Sequence, residues 1–328
     1  MRVLVTGGAG FIGSGLVGRL LDAGESVVVV DDLSTGRLEN LAPWQGQPQL
    51  ETFVGSASDP KLMEGLCRQV DEVVHLAAAV GVRLVMDNPV RAMEGNLLTQ
   101  TTVFRAAAAA NCRLLFASSS EVYGPSAEVP FREDDHLTMG ATRVGRWSYA
   151  ASKLSGEWQA LGLHEKDGLK VTICRLFNTV GPGQRGRFGM VLPNLVRQAQ
   201  AGEDITVFGD GQQTRCFAHV DDTVEALCRL RRCDRAIGEV VNIGSDREVS
   251  ILELAKLVKS ESKSSSQICL IPYSEAYGPE FEDMHRRVPA LEKLKALTGF
   301  EAKIPLKTIV QDTLKAKLLY GVRLNSPG

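Results

Sequence analysis

The chain has 328 residues, 44% of them hydrophobic, and 37 Lys and Arg against 39 Asp and Glu leave a net charge of −2. That balance excludes disorder as the main state, which needs low hydrophobicity and large net charge, and it lacks the basic surface of a wholesale nucleic-acid binder. At about 150 residues per domain, the length allows two domains, or one large domain with an appended lobe.

In chain order, near-continuous apolar runs predict strands at residues 3–6, 26–30, 50–54, 72–76 and 113–117. Helical patterns fall between them at 12–23, 60–67 and 90–110, and another helix at 149–164 precedes a strand at 170–175. Strand, helix, strand repeated this way predicts an α/β fold with a doubly wound parallel sheet, its strands buried on both faces. From Phe177 the apolar runs shorten and Gly and Pro cluster, at Gly181-Pro182-Gly183 and Gly209-Asp210-Gly211. A late strand at 240–243 is expected to rejoin the sheet, which makes a smaller C-terminal lobe interleaved in sequence. The expected division is 1–176 with a return over roughly 214–243 for the first domain, and 177–213 with 244–328 for the lobe. The polar run at 259–266 (KSESKSSS) reads as a solvated loop.

Seven cysteines, at 67, 112, 174, 216, 228, 233 and 269, form no Cys-x-x-Cys pair. A cytoplasmic, reducing home is expected in place of a disulfide framework, with Cys112 and Cys174 as core residues. Residues 3–18 are charge-free but carry six glycines, which suits a strand, a turn and a helix better than a signal-peptide core. No run approaches the ~18 apolar residues of a membrane span, so no membrane partner is expected. His75, His136, His164, His219 and His285 show no ligand spacing, and no metal is expected.

The first strand runs into Gly7-Gly8-Ala9-Gly10-Phe11-Ile12-Gly13, where a helix begins. Glycines at such a turn let a pyrophosphate approach the helix N-terminus, so this stretch is a candidate dinucleotide cradle. Eighteen residues past Gly13 the second strand ends in Asp31. A carboxylate there accepts the two hydroxyls of an adenosine ribose and repels a 2′-phosphate, which favours NAD over NADP. Tyr149 and Lys153 stand four apart at the start of a predicted helix, hence on one face. An ammonium beside a phenol lowers its pKa from ~10 toward neutrality and makes a usable general base. Upstream, Ser118-Ser119-Ser120-Glu121-Val122-Tyr123-Gly124 closes a predicted strand, at the sheet edge where ligands of open α/β sheets bind.

These motifs together resemble the extended short-chain dehydrogenase/reductase enzymes that remodel nucleotide sugars, on a Rossmann-type sheet. The resemblance also rests on Leu76-Ala77-Ala78-Ala79, on Arg175-Leu176-Phe177-Asn178-Thr179-Val180-Gly181-Pro182, and on residues 207–222. It implies NAD bound by Gly7, Gly10, Phe11, Ile12, Gly13, Asp31, Leu76, Ala77, Ala78, Asn96, Tyr149 and Lys153. It implies a nucleotide-sugar substrate held by Asn178, Arg185, Val191, Arg215 and Arg287, with Arg187 beside Arg185 in a loop able to close over the sugar. Ser119-Ser120-Glu121 is similar to the Thr-Ser-Glu of UDP-glucuronate decarboxylases, whereas 4,6-dehydratases carry Thr-Asp-Glu and galactose-type 4-epimerases have no acid there. Asp283-Met284-His285-Arg286-Arg287-Val288-Pro289 is similar to the decarboxylases' Asp-x-x-Arg-Arg-Lys-Pro-Asp, with Val288 and Ala290 departing from it. Ser56 stands where many relatives carry an adenine-binding aspartate, and the loop 80–88 also departs.

The resemblance implies C4 oxidation and loss of CO₂ from UDP-glucuronate to give UDP-xylose or UDP-4-keto-xylose. Its catalytic residues would be Ser119, Ser120, Glu121, Tyr149 and Lys153. A UDP-glucuronate or UDP-glucose 4-epimerase is the alternative, then a 4,6-dehydratase, disfavoured because expelling the 6-hydroxyl needs a proton donor that Ser120 is not. An NAD-binding regulator is the non-enzyme alternative. Relatives commonly form homodimers through two helices per subunit, here 90–110 and 149–164.

Overall fold

The structure is a computed structural model that describes residues 1–126, 128–186, 189–277 and 283–320, without the side chains of residues 82 and 317–320. The chain opens with β1 (Arg2–Thr6), α1 (Phe11–Asp22), β2 (Ser26–Asp31), β3 (Leu50–Val54), α2 (Pro60–Cys67), β4 (Glu72–His75), α3 (Val82–Asp87) and α4 (Pro89–Ala109). It continues through β5 (Arg113–Ser119), α5 (Trp147–Asp167), β6 (Lys170–Leu176), β7 (Thr179–Val180), α6 (Val191–Ala201), β8 (Ile205–Phe208), β9 (Thr214–Cys216), β10 (Ala218–His219) and α7 (Val220–Leu230). Then follow β11 (Val240–Ile243), β12 (Glu248–Ser250), α8 (Ile251–Ser262), β13 (Ile268–Ile271), α9 (Tyr273–Tyr277), α10 (Glu292–Thr298) and α11 (Leu306–Tyr320).

Seven parallel strands form the main sheet in the order β11-β6-β5-β4-β1-β2-β3. The doubly wound fold expected from the sequence is the one observed. Alternate residues of one strand serve opposite cores, as the two-residue period demands. Val3, Val5, Val27 and Val29 join the cluster of α1 and α7, and Leu4, Val28 and Val30 join that of α2 and α4. Strand order reverses between β1 and β4, so the crevice beyond their carboxyl ends is the switch point where such sheets take ligands.

Beyond β6 the chain builds a second core from α6, α8 and α11 around the parallel pair β8 and β13, including Leu192, Val207, Leu254 and Ile309. β11 then returns to the main sheet beside β6. Two expectations are corrected. The run 259–266 is not a solvated loop: α8 continues through Ser262, Lys263 ends it in a left-handed cap, and Ser266 is buried. Val258 closes the buried stripe of that helix, so its polar neighbours are simply its outer face. The segment 80–88 holds α3, with Val85 buried against Tyr149 and Ala92.

At the amino ends of the strands a buried ion cluster fastens α7 to the sheet. Arg231, just past α7, donates from Nε to Glu72 at 2.8 Å, and from Nη1 and Nη2 to the two oxygens of Glu25, both at 2.8 Å. All seven cysteines are free thiols, with Cys112 and Cys174 in the core as expected.

Candidate active site

β1, β2, β4 and β5 bring Thr6, Asp31, His75 and Ser119 to one edge of the sheet. Gly7 takes φ +72°, and a Cβ there would stand 2.8 Å from the Ala77 nitrogen. A Cβ on Gly13 would overlap the Gly7 carbonyl oxygen. Gly10 starts α1 without a side-chain cap, so the first turn, from Phe11 and Ile12 on, finds no acceptor in its own cap residue. Asp31 takes one N–H on each carboxylate oxygen, from Ala9 at 3.0 Å and Leu33 at 2.9 Å. It is thus a turn aspartate, and it keeps lone pairs for further donors. Burial raises its pKa. The opposite wall is Leu76 and Ala77, whose N–H groups reach the Thr6 carbonyl and hydroxyl, with Ala78 following. Asn96, buried on α4, grips Ala79 and the Ser152 hydroxyl, which places its amide in support of this wall. A bare helix start, a glycine turn with no room for side chains and an acid at the end of β2 fit a dinucleotide.

The helix that carries Tyr149 and Lys153 is fastened to the sheet from below. Glu157, two turns along α5, accepts from the Ser118 hydroxyl and from the Arg175 guanidinium, whose closest contact is 2.7 Å. Tyr149 and Lys153 are both buried facing β5, and the Ser119 hydroxyl, which accepts the Glu121 N–H at 3.2 Å, favours the ionised phenol. Ser120 is buried in the 3-10 turn that continues β5.

The ammonium does not lower the phenol's pKa as the spacing suggested. Lys153 Nζ donates to the Ala117 carbonyl at 2.8 Å, over the Phe116 ring, and lies 6.0 Å from the centre of the Tyr149 ring. Burial pushes Tyr149 above the ordinary phenol range, against the pull of the Ser119 hydroxyl. Burial also brings Lys153 down to about 7, opposed by Glu157. Helical spacing put the pair on one face; desolvation, which spacing does not encode, sets their protonation.

Above the phenol, Glu121 meets two arginines. Arg287 Nη2 donates to Oε1 at 2.6 Å, and Arg146 Nη2 lies 3.0 Å from Oε2. Burial alone would raise the Glu121 pKa, but Arg287 and Arg146 overcome it and hold the carboxyl at about 2. Arg146 also donates from Nη1 to Asp283 at 2.9 Å, and Asp283 accepts from Arg215 at 2.9 Å and from the Tyr273 hydroxyl at 2.8 Å. The lobe segment carrying Arg287 is moored by Asn242 of β11, whose amide holds the Tyr123 hydroxyl and the carbonyls of Phe131 and Ala290. Arg287 is buried, yet its Nε has no partner among the described residues.

The structure gathers Ser119, Ser120, Glu121, Tyr149, Lys153 and Arg287 at one place. Arg215 lies beside them but is occupied by Asp283 and the carbonyls of Thr214 and Met284. Asn178 donates to the Cys216 carbonyl at 3.1 Å, Arg185 is half-buried in the turn before α6, and Val191 packs against the lobe core. Arg187 lies outside the described residues. Sequence reasoning missed Arg146 as a site residue, and gave Asp283 no role. One signal was legible: a cation at the N-cap of α5 opposes the helix dipole unless a carboxylate meets it. It also missed His75, whose Nδ1 shares a 2.7 Å hydrogen bond with Thr6 and which burial pushes down to about 3.

Residues 3–244 match the model of the NAD dependent epimerase/dehydratase family. The chain belongs to that family. Over 96% of its length this member is 38% identical to the UDP-N-acetyl-alpha-D-glucosaminuronate decarboxylase of Bacillus cytotoxicus, covering 97% of that protein. It is 34% identical to UDP-glucuronic acid decarboxylase 1 of Danio rerio, over 96% of this chain and 72% of the relative. Among solved structures, the UDP-glucuronic acid 4-epimerase of Bacillus cereus, in complex with UDP-glucuronic acid and NAD, superposes with a TM-score of 0.87. It is 25% identical, over 98% of this chain and 100% of that one. Among the described residues no helix is long and apolar enough to cross a membrane, and no three His, Cys, Asp or Glu gather as metal ligands.

Proposed function

We propose that the chain is an NAD-dependent UDP-glucuronate decarboxylase, acting in the cytoplasm as a homodimer, whose product is UDP-xylose or UDP-4-keto-xylose. The observation that carries this reading is Arg287: a buried guanidinium beside the phenol, half engaged with Glu121 and with Nε unpartnered among the described residues. Such a group suits a carboxylate, which a guanidinium binds through two parallel hydrogen bonds. Relatives named as uronate decarboxylases support it. The division of residues 1–176 and 214–243 for the cofactor, and 177–213 and 244–328 for the sugar nucleotide, belongs to the same proposal.

NAD would be held by Gly7, Gly10, Phe11, Ile12, Gly13, Asp31, Leu76, Ala77, Ala78, Asn96, Tyr149 and Lys153, and would supply the acceptor for the hydride lost from the sugar C4. Tyr149 takes the 4-hydroxyl proton, and Ser119 shares a hydrogen bond with the reacting oxygen. The C4 carbonyl so formed lies β to the C6 carboxylate, so the C5–C6 bonding pair moves toward that carbonyl as CO₂ leaves. Donors aimed at the developing enolate stabilise it. Arg287 orients the carboxylate, while Ser120 and Glu121 position the water that returns a proton to C5. Asn178, Arg185, Val191 and Arg215 flank the diphosphate and uridine.

Mass spectrometry of the products from UDP-glucuronate tests the reading. A decarboxylase yields a pentose nucleotide and CO₂, whereas retention of all six sugar carbons would make it an epimerase. Tyr149→Phe lowers turnover by about 10³-fold, within the range of a lost acid–base group, and retains NAD. A second reading, decarboxylation of the 2-acetamido uronate, is favoured by the 38% identical relative. The ratio of kcat/KM on the two sugars separates them. The homodimer is supported by Trp158 on α5 and Leu98 on α4, which are 67% and 56% exposed on two helices packed together. The cytoplasm is supported by the seven free thiols.

A further inference from the structure

We propose that Arg146 is a positioning residue of the reaction, anchoring Glu121 at the mouth of β5 so that Arg287 can pass from Glu121 to the substrate carboxylate. The inference rests on the uronate reading above. Its geometry is an asymmetry between two arginines that share one acid. Arg287 holds Glu121 by a single nitrogen, Nη2 at 2.6 Å from Oε1, while its Nε faces no partner among the described residues. Arg146 approaches both oxygens of Glu121 from Nη2, at 3.0 and 3.3 Å, and its Nη1 is tied to Asp283. A fork held at both prongs stays, and a cation attached at one point is free to exchange one carboxylate for another.

An incoming uronate offers Arg287 the carboxylate that its guanidinium lacks on the Nε side. Engaging it loosens the contact with Glu121. Were Arg287 the sole partner of Glu121, the acid would then stand buried and unpaired beside the phenol, and would swing away or take up a proton. Arg146 prevents both, because its shorter contact is with Oε2, at 3.0 Å, and its longer one reaches the Oε1 that Arg287 vacates, so Glu121 keeps a cationic partner. The groups around Glu121 are Arg146 at the N-cap of α5, Tyr149 one turn further on, Ser119 below and Arg287 from the lobe, with Asp283 behind Arg146 and Arg215 of β9 on Asp283. Arg146 thus sets where Glu121 stands during turnover, and does so without touching the sugar.

The test is a double-mutant cycle on the NAD-loaded enzyme, read as CO₂ release from UDP-glucuronate. Arg146→Met is expected to lower kcat by about 10²-fold with KM changed less than about threefold, and Arg146→Lys to recover part of the loss. In a Glu121→Gln background, Arg146→Met is expected to cost less than about threefold more. An arginine that merely latched the lobe through Asp283 would raise KM and add its full loss to Glu121→Gln. That result, or an unchanged kcat in Arg146→Met, overturns the inference. Bound NAD and the circular dichroism spectrum establish that each variant is folded, and Arg146→Lys carries the test if Arg146→Met is not. Absence of CO₂ release by the unaltered enzyme would overturn the uronate reading itself, separately from the cycle.

Discussion

Two buried arginines at opposite ends of the same sheet are used in opposite ways. Arg231, at the amino ends of the strands, spends Nε, Nη1 and Nη2 on Glu72 and Glu25. Arg287, above the carboxyl ends, spends Nη2 on Glu121 and leaves Nε without a partner among the described residues. Their proton affinities diverge accordingly. Burial lowers that of Arg231, but hydrogen bonds to Glu25 and the field of Glu72 more than reverse it. For Arg287 burial wins over Glu121, helped by the like charges of Arg215 and Arg146. A saturated arginine is a rivet; a half-used one, kept at a cost in stability, has something still to bind.

The hardest blow to this contrast comes from removing each arginine in turn. Arg231→Met leaves Glu25 and Glu72 buried together and is expected to cost about 3–5 kcal/mol in urea unfolding, the usual penalty for breaking a buried pair, with turnover per folded molecule unchanged. A loss under about 1 kcal/mol would deny it the structural role. Arg287→Met is the mirror case. Glu121 keeps Arg146, so the expected loss is about 10²-fold in kcat/KM on UDP-glucuronate, the worth of charge-assisted hydrogen bonds to the substrate. An intact kcat/KM would make Arg287 structural too.

A smaller effect sharpens the same contrast with a buried group that has no opposing charge. His75 is fully buried beside Lys153, with Nε2 unpartnered among the described residues, and burial then Lys153 bring it from 6.5 to about 3. The folded ring stays neutral while the unfolded one takes a proton as pH falls below 6.5. Its contribution to stability is therefore full above that pH and is lost on acidification, by about 1.4 kcal/mol per pH unit until the folded value is reached. Urea midpoints at about pH 6 and pH 5 check the slope, and His75→Gln should flatten it.

The main sheet was legible because its inner strands are covered on both faces, which writes Val27 to Val30 as one unbroken apolar run, whereas the edge strand β3 is largely exposed. The expected rhythm stops at Phe177, yet α6, α7, α8 and α11 follow. The spacing of Val220, Val224 and Leu227 carries α7, where the burial of one face makes the helix. Tyr149, Lys153 and Glu121 were legible as a group because strand ends and a helix start converge at a switch point. The partnership of Arg146 with Asp283 was not, since 137 residues separate them and only the folded lobe brings them together. Nor was the turn of Lys153 toward the Ala117 carbonyl, which depends on the strand it packs beneath.

Because β11 returns to the sheet only after the lobe has begun, the two halves of the crevice mature at different moments of synthesis. Every side chain proposed to cradle the dinucleotide has been translated by Lys153, whereas the guanidinium meant for the uronate waits until Arg287. A nascent polypeptide thus carries every side chain proposed for the coenzyme before it carries the one proposed for the sugar carboxylate.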